Sequence, residues 1–331
     1  MPERPALDAL RKDIAQKEEE VAYHQHTKRF AYLFKRLNPA QSFENQASSQ
    51  YNTIKGLIED ARGGAAPLAP YCFLQGSYQR NTAIYSINDV DIVALCTNLS
   101  FPAPLGIGVS YWDRNQIFAT IAAPLLADGR YQSKVRYSPT SMCIKVDLGI
   151  KVEILPVVLQ GGVTDRSFEP FYLWRPESGQ WEVGYARYHQ QKLTEKNALT
   201  AGNFIPAIKV FKHLRSAAGL DAISFHIECF LYSLPDQWFA GSPAEYICRL
   251  ITNIASSTSY VWYLMDIRTP CNDRALFSIS EWNSSSWGSF HGMVSGLKPA
   301  ASLAASEFDE GRSTMHWQHV LGANYFPMTV A

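Results

Sequence analysis

Leu10, Ile14, Val21, Phe30, Leu33 and Leu37 recur among charged residues and predict a long amphipathic helix over 6–37. Asn38-Pro39-Ala40 breaks it, since proline cannot supply a helical N–H. A second helix is predicted to run to about residue 62, where Gly63-Gly64 stops it. The pattern then shortens to strands: 72–75, and 89–96 with its run Asp-Val-Asp-Ile-Val-Ala-Leu-Cys. A Pro/Gly-rich loop at 101–107 precedes a helix at 115–126. Residues 142–148 and 150–158 read as a hairpin turning at Gly149. Residues 161–200 show no clear period. Helical texture returns at 206–218, 225–234, 243–265 and 293–308, and no internal repeat is visible. This order predicts an α+β chain: an N-terminal helical spine over 1–64, a mixed-sheet core with flanking helices over 65–200, and a helical lobe over 201–331.

Composition narrows the class. The 331 residues are 47% hydrophobic and 18% charged, as in ordinary globular proteins. Lys plus Arg equals Asp plus Glu, 30 each, so there is no basic excess of the kind that grips long nucleic acid. Small nucleotides fit that balance better. No apolar run approaches a membrane span, and the first residues lack the apolar core of a secretory signal. Cys72, Cys96, Cys143, Cys229, Cys248 and Cys271 are scattered without a Cys-x-x-Cys pair, which suits reduced thiols and a cytoplasmic location.

The stretch 76–91, Gly-Ser-Tyr-Gln-Arg-Asn-Thr-Ala-Ile-Tyr-Ser-Ile-Asn-Asp-Val-Asp, carries the chemistry. Gly76 lets the backbone approach a phosphate, because a Cβ there would hold the phosphate away. Ser77 and neighbouring N–H groups can donate to phosphate oxygens, and a following helix would present its positive end. Arg80 adds a cation. Asp89 and Asp91 lie two apart on a strand, so both carboxylates project from one face while Val90 and Ile92 enter the core. Two hard oxygen ligands on one edge suit Mg²⁺, with Mn²⁺ as a substitute. A two-metal transfer site needs a third carboxylate. Glu153, inside Lys-Val-Glu-Ile-Leu, is the first candidate; Asp147, beside the Gly149 turn, is the second.

Together, Gly76-Ser77…Arg80-Asn81-Thr82…Asp89-Val90-Asp91 and Lys151-Val152-Glu153-Ile154-Leu155-Pro156 resemble the polymerase-β-like nucleotidyltransferases. More narrowly they resemble the cGAS/DncV-like group, the bacterial CD-NTases. The second half adds to the likeness: Ile208-Lys209-Val210-Phe211-Lys212-His213-Leu214-Arg215 resembles the family's phosphate-binding helix. Ile223-Ser224-Phe225-His226-Ile227-Glu228 resembles the helix start that follows it, and Trp317-Gln318…Leu321-Gly322…Tyr325-Phe326-Pro327 the closing segment.

The resemblance implies a polymerase-β-like core with a C-terminal helical lobe, bridged by the N-terminal spine. It implies synthesis of a cyclic di- or oligonucleotide second messenger from NTPs, ATP or GTP among them, in anti-phage signalling. Lys209 and Lys212 would meet the triphosphate, Ser224 would donate to it, and Phe225 would stack on a base where relatives often have Tyr. A downstream effector would read the product. Ala331, on a short uncharged tail, would offer a carboxylate to a ubiquitin-ligase-like conjugating partner. Glu153 departs from the family's more usual Asp. That departure keeps open a non-catalytic nucleotide-binding scaffold, beside a transferase acting on RNA ends or a protein hydroxyl. Phe171, Tyr172, Trp174, Trp181, Tyr185 and Tyr188, with Arg166, Arg175 and Arg187, are of the residue types a base pocket uses.

Overall fold

A computed structural model describes residues 26–60, 62–101, 112–160, 170–279 and 281–330. The chain forms two compact units, one of residues 39–194 and one of residues 1–38 with 195–331. The expected spine is therefore divided at Asn38-Pro39. The described part of helix α1, residues 26–37, belongs with the C-terminal helices, and α2 (Gln41–Glu59) belongs with the sheet.

The sheet unit is built on β1 (Pro70–Gln75), β2 (Asp89–Phe101), β3 (Val135–Arg136), β4 (Ile144–Asp147) and β5 (Lys151–Gln160). Their spatial order is β1-β2-β5-β4-β3. Only β2 and β5 run parallel; β1, β4 and β3 are antiparallel to their neighbours. A single turn, α3 (Gly76–Gln79), follows β1, and α4 (Arg114–Ala127) starts from an Asp113–Gln116 capping box. The predicted hairpin forms, with Gly149 at φ +87° in its turn. A second hairpin lies where the sequence shows no period: β6 (Phe171–Arg175) and β7 (Gln180–Gly184), with β6 paired to the far half of β5. The chain then enters α5 (Ala186–Leu199).

Strand pleating divides the sheet into two faces. Val90, Ile92, Ala94, Val152 and Ile154 point to one face and pack with Ile54, Ile58, Ile117, Phe118 and Ile121 of α2 and α4. Each such aliphatic side chain contributes about 1.5–3 kcal/mol by leaving water. On the other face Val93, Leu95, Leu155, Val157, Cys143 and Phe171 form a smaller core. That core stops one pleat short of Asp91 and Glu153.

The helical unit contains α6 (Phe204–Ala217), α7 (Ser224–Ser233), α8 (Pro243–Ile254), α9 (Ser259–Tyr263), α10 (Ser284–Ser306) and α11 (Glu310–Leu321). Trp282, Trp287 and Phe230 interlock in its interior, with rings 4.8–6.4 Å apart. Phe30 of α1 packs edge-on to Trp317 and Phe326. Arg29 binds Glu310 and the Pro327 and Met328 carbonyls, tying the end of the described chain to α1. The expected single helix over 243–265 is two, because Thr258 caps a new start, and α10 begins nine residues before the predicted 293, at the Asn283 cap. Among the described residues no helix is long and apolar enough to cross a membrane.

Candidate active site

The acids lie at the beginning of β2 and near the beginning of β5. Parallel pairing sets Asp91 directly beside Glu153 and Asp89 beside Lys151. Antiparallel pairing continues both rows: Gln75 beside Asp91, Lys145 beside Glu153, and Asp147 beside Lys151. One face of the sheet thus carries the row Gln75, Asp91, Glu153, Lys145, and one pleat away the row Asp89, Lys151, Asp147. Neighbouring strands stand about 4.8 Å apart, so residues in a row are within reach of one another. Val90 and Ile92 are buried behind the acids, as the strand pattern predicts.

Glu153 is the acid that shares a row with Asp91, and Asp147 accepts the Gly149 N–H at 3.4 Å in its own turn. Lys145 Nζ sits 3.2 Å from Glu153 Oε1, and the carboxylate raises the lysine's pKa. The Cys143 thiol is pushed up to about 12, by burial first and then by the neighbouring Glu153 and Asp91 charges.

Gly76 has φ +76°, and a Cβ built on it would collide with the Asp91 carboxylate, coming within 2.7 Å of Cγ. The glycine is required first by Asp91 and only then by any phosphate. Ser77 accepts the Thr82 and Ala83 N–H groups at its carbonyl, at 2.9 and 3.0 Å, which closes the loop around Arg80. The turn after Gly76 spans four residues, too short to supply the helix field expected there. Arg80 is half-buried.

Among the described residues, no three His, Cys, Asp or Glu side chains already converge as a metal cluster. Carboxylates in adjacent rows repel one another, and Glu153 turns to Lys145. The donor set still fits a hard divalent cation: three carboxylates on one face, not enclosed by apolar side chains, with open positions for water and phosphate.

In the helical unit the predicted phosphate residues differ in kind. Lys212 is 1% exposed and its Nζ lies 2.5 Å from Glu228 Oε1. It neutralises a buried acid. Lys209 donates to Asn38 Oδ1 at 2.7 Å and is also largely buried. Ser224 opens α7, and its Oγ accepts from Arg215 Nη2 at 3.0 Å while Arg215 Nη1 holds the Ala222 carbonyl. An accepted bond leaves the serine proton to donate elsewhere. Arg215 escaped the sequence reading because an arginine late in a helix reads as solvated. Phe225 is half-buried, with the Arg274 guanidinium 5.7 Å from its ring. Arg274 in turn meets Glu281 at 3.3 Å, and Glu281 meets His226 at 3.1 Å.

The aromatic set between 171 and 189 is mostly structural. Trp174 and Trp181 pair across β6 and β7 at 5.8 Å, on the helix-covered face, and Phe171 lies in the smaller core. Arg187 covers the Phe73 ring at 4.0 Å. Arg166 and Ala331 lie outside the described residues.

A Second Messenger Oligonucleotide or Dinucleotide Synthetase domain matches residues 25–197, and a cGAS/DncV-like nucleotidyltransferase C-terminal helical domain matches 191–293. The chain belongs to the cGAS/DncV-like nucleotidyltransferases. A cyclic AMP-AMP-AMP synthase of Acinetobacter sp. is 23% identical over 320 residues, covering 91% of this chain and 85% of its own. A cyclic UMP-AMP synthase of Rhodothermus marinus is 26% identical over 200 residues, 55% of this chain and 69% of the relative. In solved structures, the R. marinus CdnE c-UMP-AMP synthase with Apcpp and Upnpp superposes with TM-score 0.65 at 20% identity, covering 82% of this chain and 95% of that one. The E. coli MS115-1 CdnC:HORMA-deltaN complex gives 0.67 at 15% identity, covering 91% and 98%. The polymerase-β-like core with a C-terminal helical domain is the family's fold. As a cGAS/DncV-like nucleotidyltransferase the chain is a transferase, and its acid rows are where that chemistry is to be sought.

Proposed function

We propose that this nucleotidyltransferase joins NTPs into a cyclic di- or oligonucleotide second messenger. The placement of Asp91 beside Glu153, with Asp89 one pleat away, carries the reading. The synthases among its relatives support the cyclic product. A divalent cation, Mg²⁺ or in its place Mn²⁺, would be held by Asp89, Asp91 and Glu153, and when bound it supplies Lewis-acid charge at the attacking hydroxyl and the departing pyrophosphate. The chain's own residues do the rest. Gly76 leaves the Asp91 carboxylate room to lie against the backbone, and the loop closed by Ser77 fixes Arg80 for phosphate. In the helical unit, Ser224, held by Arg215, keeps a proton to donate, and Phe225 with Arg274 offers a flat cationic surface. A ribose hydroxyl of one nucleotide attacks the α-phosphorus of another in line. The new P–O bond forms as the bond to pyrophosphate breaks, and the proton passes to the half-exposed Glu153 carboxylate and on to water. A second round closes the linear product.

Use of the product by a downstream effector in anti-phage defence extends this proposal and rests on the family resemblance.

The test is incubation of purified protein with labelled ATP, GTP, CTP and UTP in Mg²⁺, followed by phosphatase and mass spectrometry. A small phosphatase-resistant product supports the reading. Label on RNA or protein replaces it with the other transferase activity, and no transfer replaces it with a scaffold.

A further inference from the structure

The acid rows contain their own cations. Across the sheet the order is Asp91, Glu153, Lys145, Arg136: two negative positions, then two positive ones. Arg136, on the far side of Lys145, repels it, and Glu153, on the near side, attracts it. The Lys145 ammonium accordingly lies 3.2 Å from Glu153 Oε1, with its side chain 65% exposed and that of Glu153 27% exposed. The second row repeats the theme, with Lys151 between Asp89 and Asp147. Four carboxylates outnumber the three cations Lys145, Arg136 and Lys151 on this face, so it keeps a net negative charge.

We infer that Lys145 is a built-in counter-ion for Glu153, occupying that carboxylate until a divalent cation displaces it. The inference rests on the proposed metal role of the acids and adds a residue the family motifs do not contain. Its physical basis is competition. An ammonium 3.2 Å from Glu153 Oε1 and a cation shared with Asp91 and Asp89 repel one another and compete for the charge of the same carboxylate. Lys145 has the means to leave, since most of its side chain is in water and its flexible stem swings at little cost. While it stays, it lowers the repulsion between Glu153 and Asp91. Lys145 is thus a positioning residue: it acts on the metal through the acid and touches neither substrate nor metal.

The experiment is a titration of full-length, nucleotide-free protein with Mn²⁺, following the free-ion EPR signal at low ionic strength. An exposed ion pair of this type predicts that Lys145→Met binds Mn²⁺ about two- to fivefold more tightly than wild type. Lys145→Gln should behave like Lys145→Met, and Lys145→Arg like wild type. The gain should vanish in a Glu153→Gln background and shrink in high salt. Equal or weaker Mn²⁺ binding by Lys145→Met overturns the inference while leaving the metal site standing. No Mn²⁺ uptake by wild type, with or without a non-hydrolysable NTP, overturns the metal reading and this inference with it.

Discussion

Lys145–Glu153 in the sheet unit and Lys212–Glu228 in the helical unit are both lysine–glutamate pairs, and they do opposite work. Lys145–Glu153 lies on the open acid face, whereas in Lys212–Glu228 the side chains are 2% and 1% exposed. Water screens the first, so it can form and break at small cost. The second sits where neither charge can be solvated, so losing one partner strands the other. The same two residue types thus give a displaceable counter-ion in one unit and a fixed internal tie in the other. Burial decides which.

The largest effect expected on that comparison comes from the acid row. Asp91→Ala, and Asp89→Ala with it, should lower product formation by on the order of 100-fold or more. The melting temperature without Mg²⁺ should hold or rise, because mutual repulsion is relieved. Activity above a few per cent in the double variant would remove the acids from the chemistry. Gly76→Ala comes next. It forces a Cβ into Asp91 at a left-handed φ, costing roughly 1–3 kcal/mol in backbone strain alone, and activity should fall with it.

Glu228→Gln should destabilise the fold by about 3–5 kcal/mol in denaturant titration, whereas Lys212→Met with Glu228→Leu should recover most of that loss. If Lys212→Ala instead leaves stability intact and raises only the KM for NTP, the lysine is a phosphate ligand after all. Lys145→Met should change stability by no more than about 1 kcal/mol. The smallest effect is one of pH. Burial lowers the pKa of His213, whose Nε2 lies 2.9 Å from the Leu321 carbonyl, and of His26. The unfolded chain takes up these protons near the ordinary 6.5, the folded chain only below it. Their contribution to stability is therefore complete above that value and is lost as pH falls through the lowered folded pKa values. His213→Gln should flatten the slope of stability against pH in that window.

Much of this was legible in the chain. Asp89-Val90-Asp91 gives its face away by alternation, and Glu153 does the same between Val152 and Ile154. What the pattern hides is what depends on neighbours distant in sequence. Lys212 reads as a phosphate-binding lysine, and nothing in the sequence shows that Glu228, sixteen residues on, lies beside it. Gly76 looks like a phosphate turn, and only the β1–β2 pairing shows that Asp91 claims the space first. The β6–β7 hairpin went unread because Phe171 and Trp174 face different cores, which cancels the alternation. Glu177-Ser178-Gly179 was the turn signal that could have found it. In α10 the glycines at 288, 292 and 296 masked a helix that its Asn283 cap begins.

The most direct test of the central claim is anomalous scattering from crystals grown with Mn²⁺ and a non-hydrolysable NTP. The account predicts a manganese peak bounded by Asp89, Asp91 and Glu153, with Lys145 turned away from Glu153. A nucleotide bound with no manganese at these three carboxylates would contradict it.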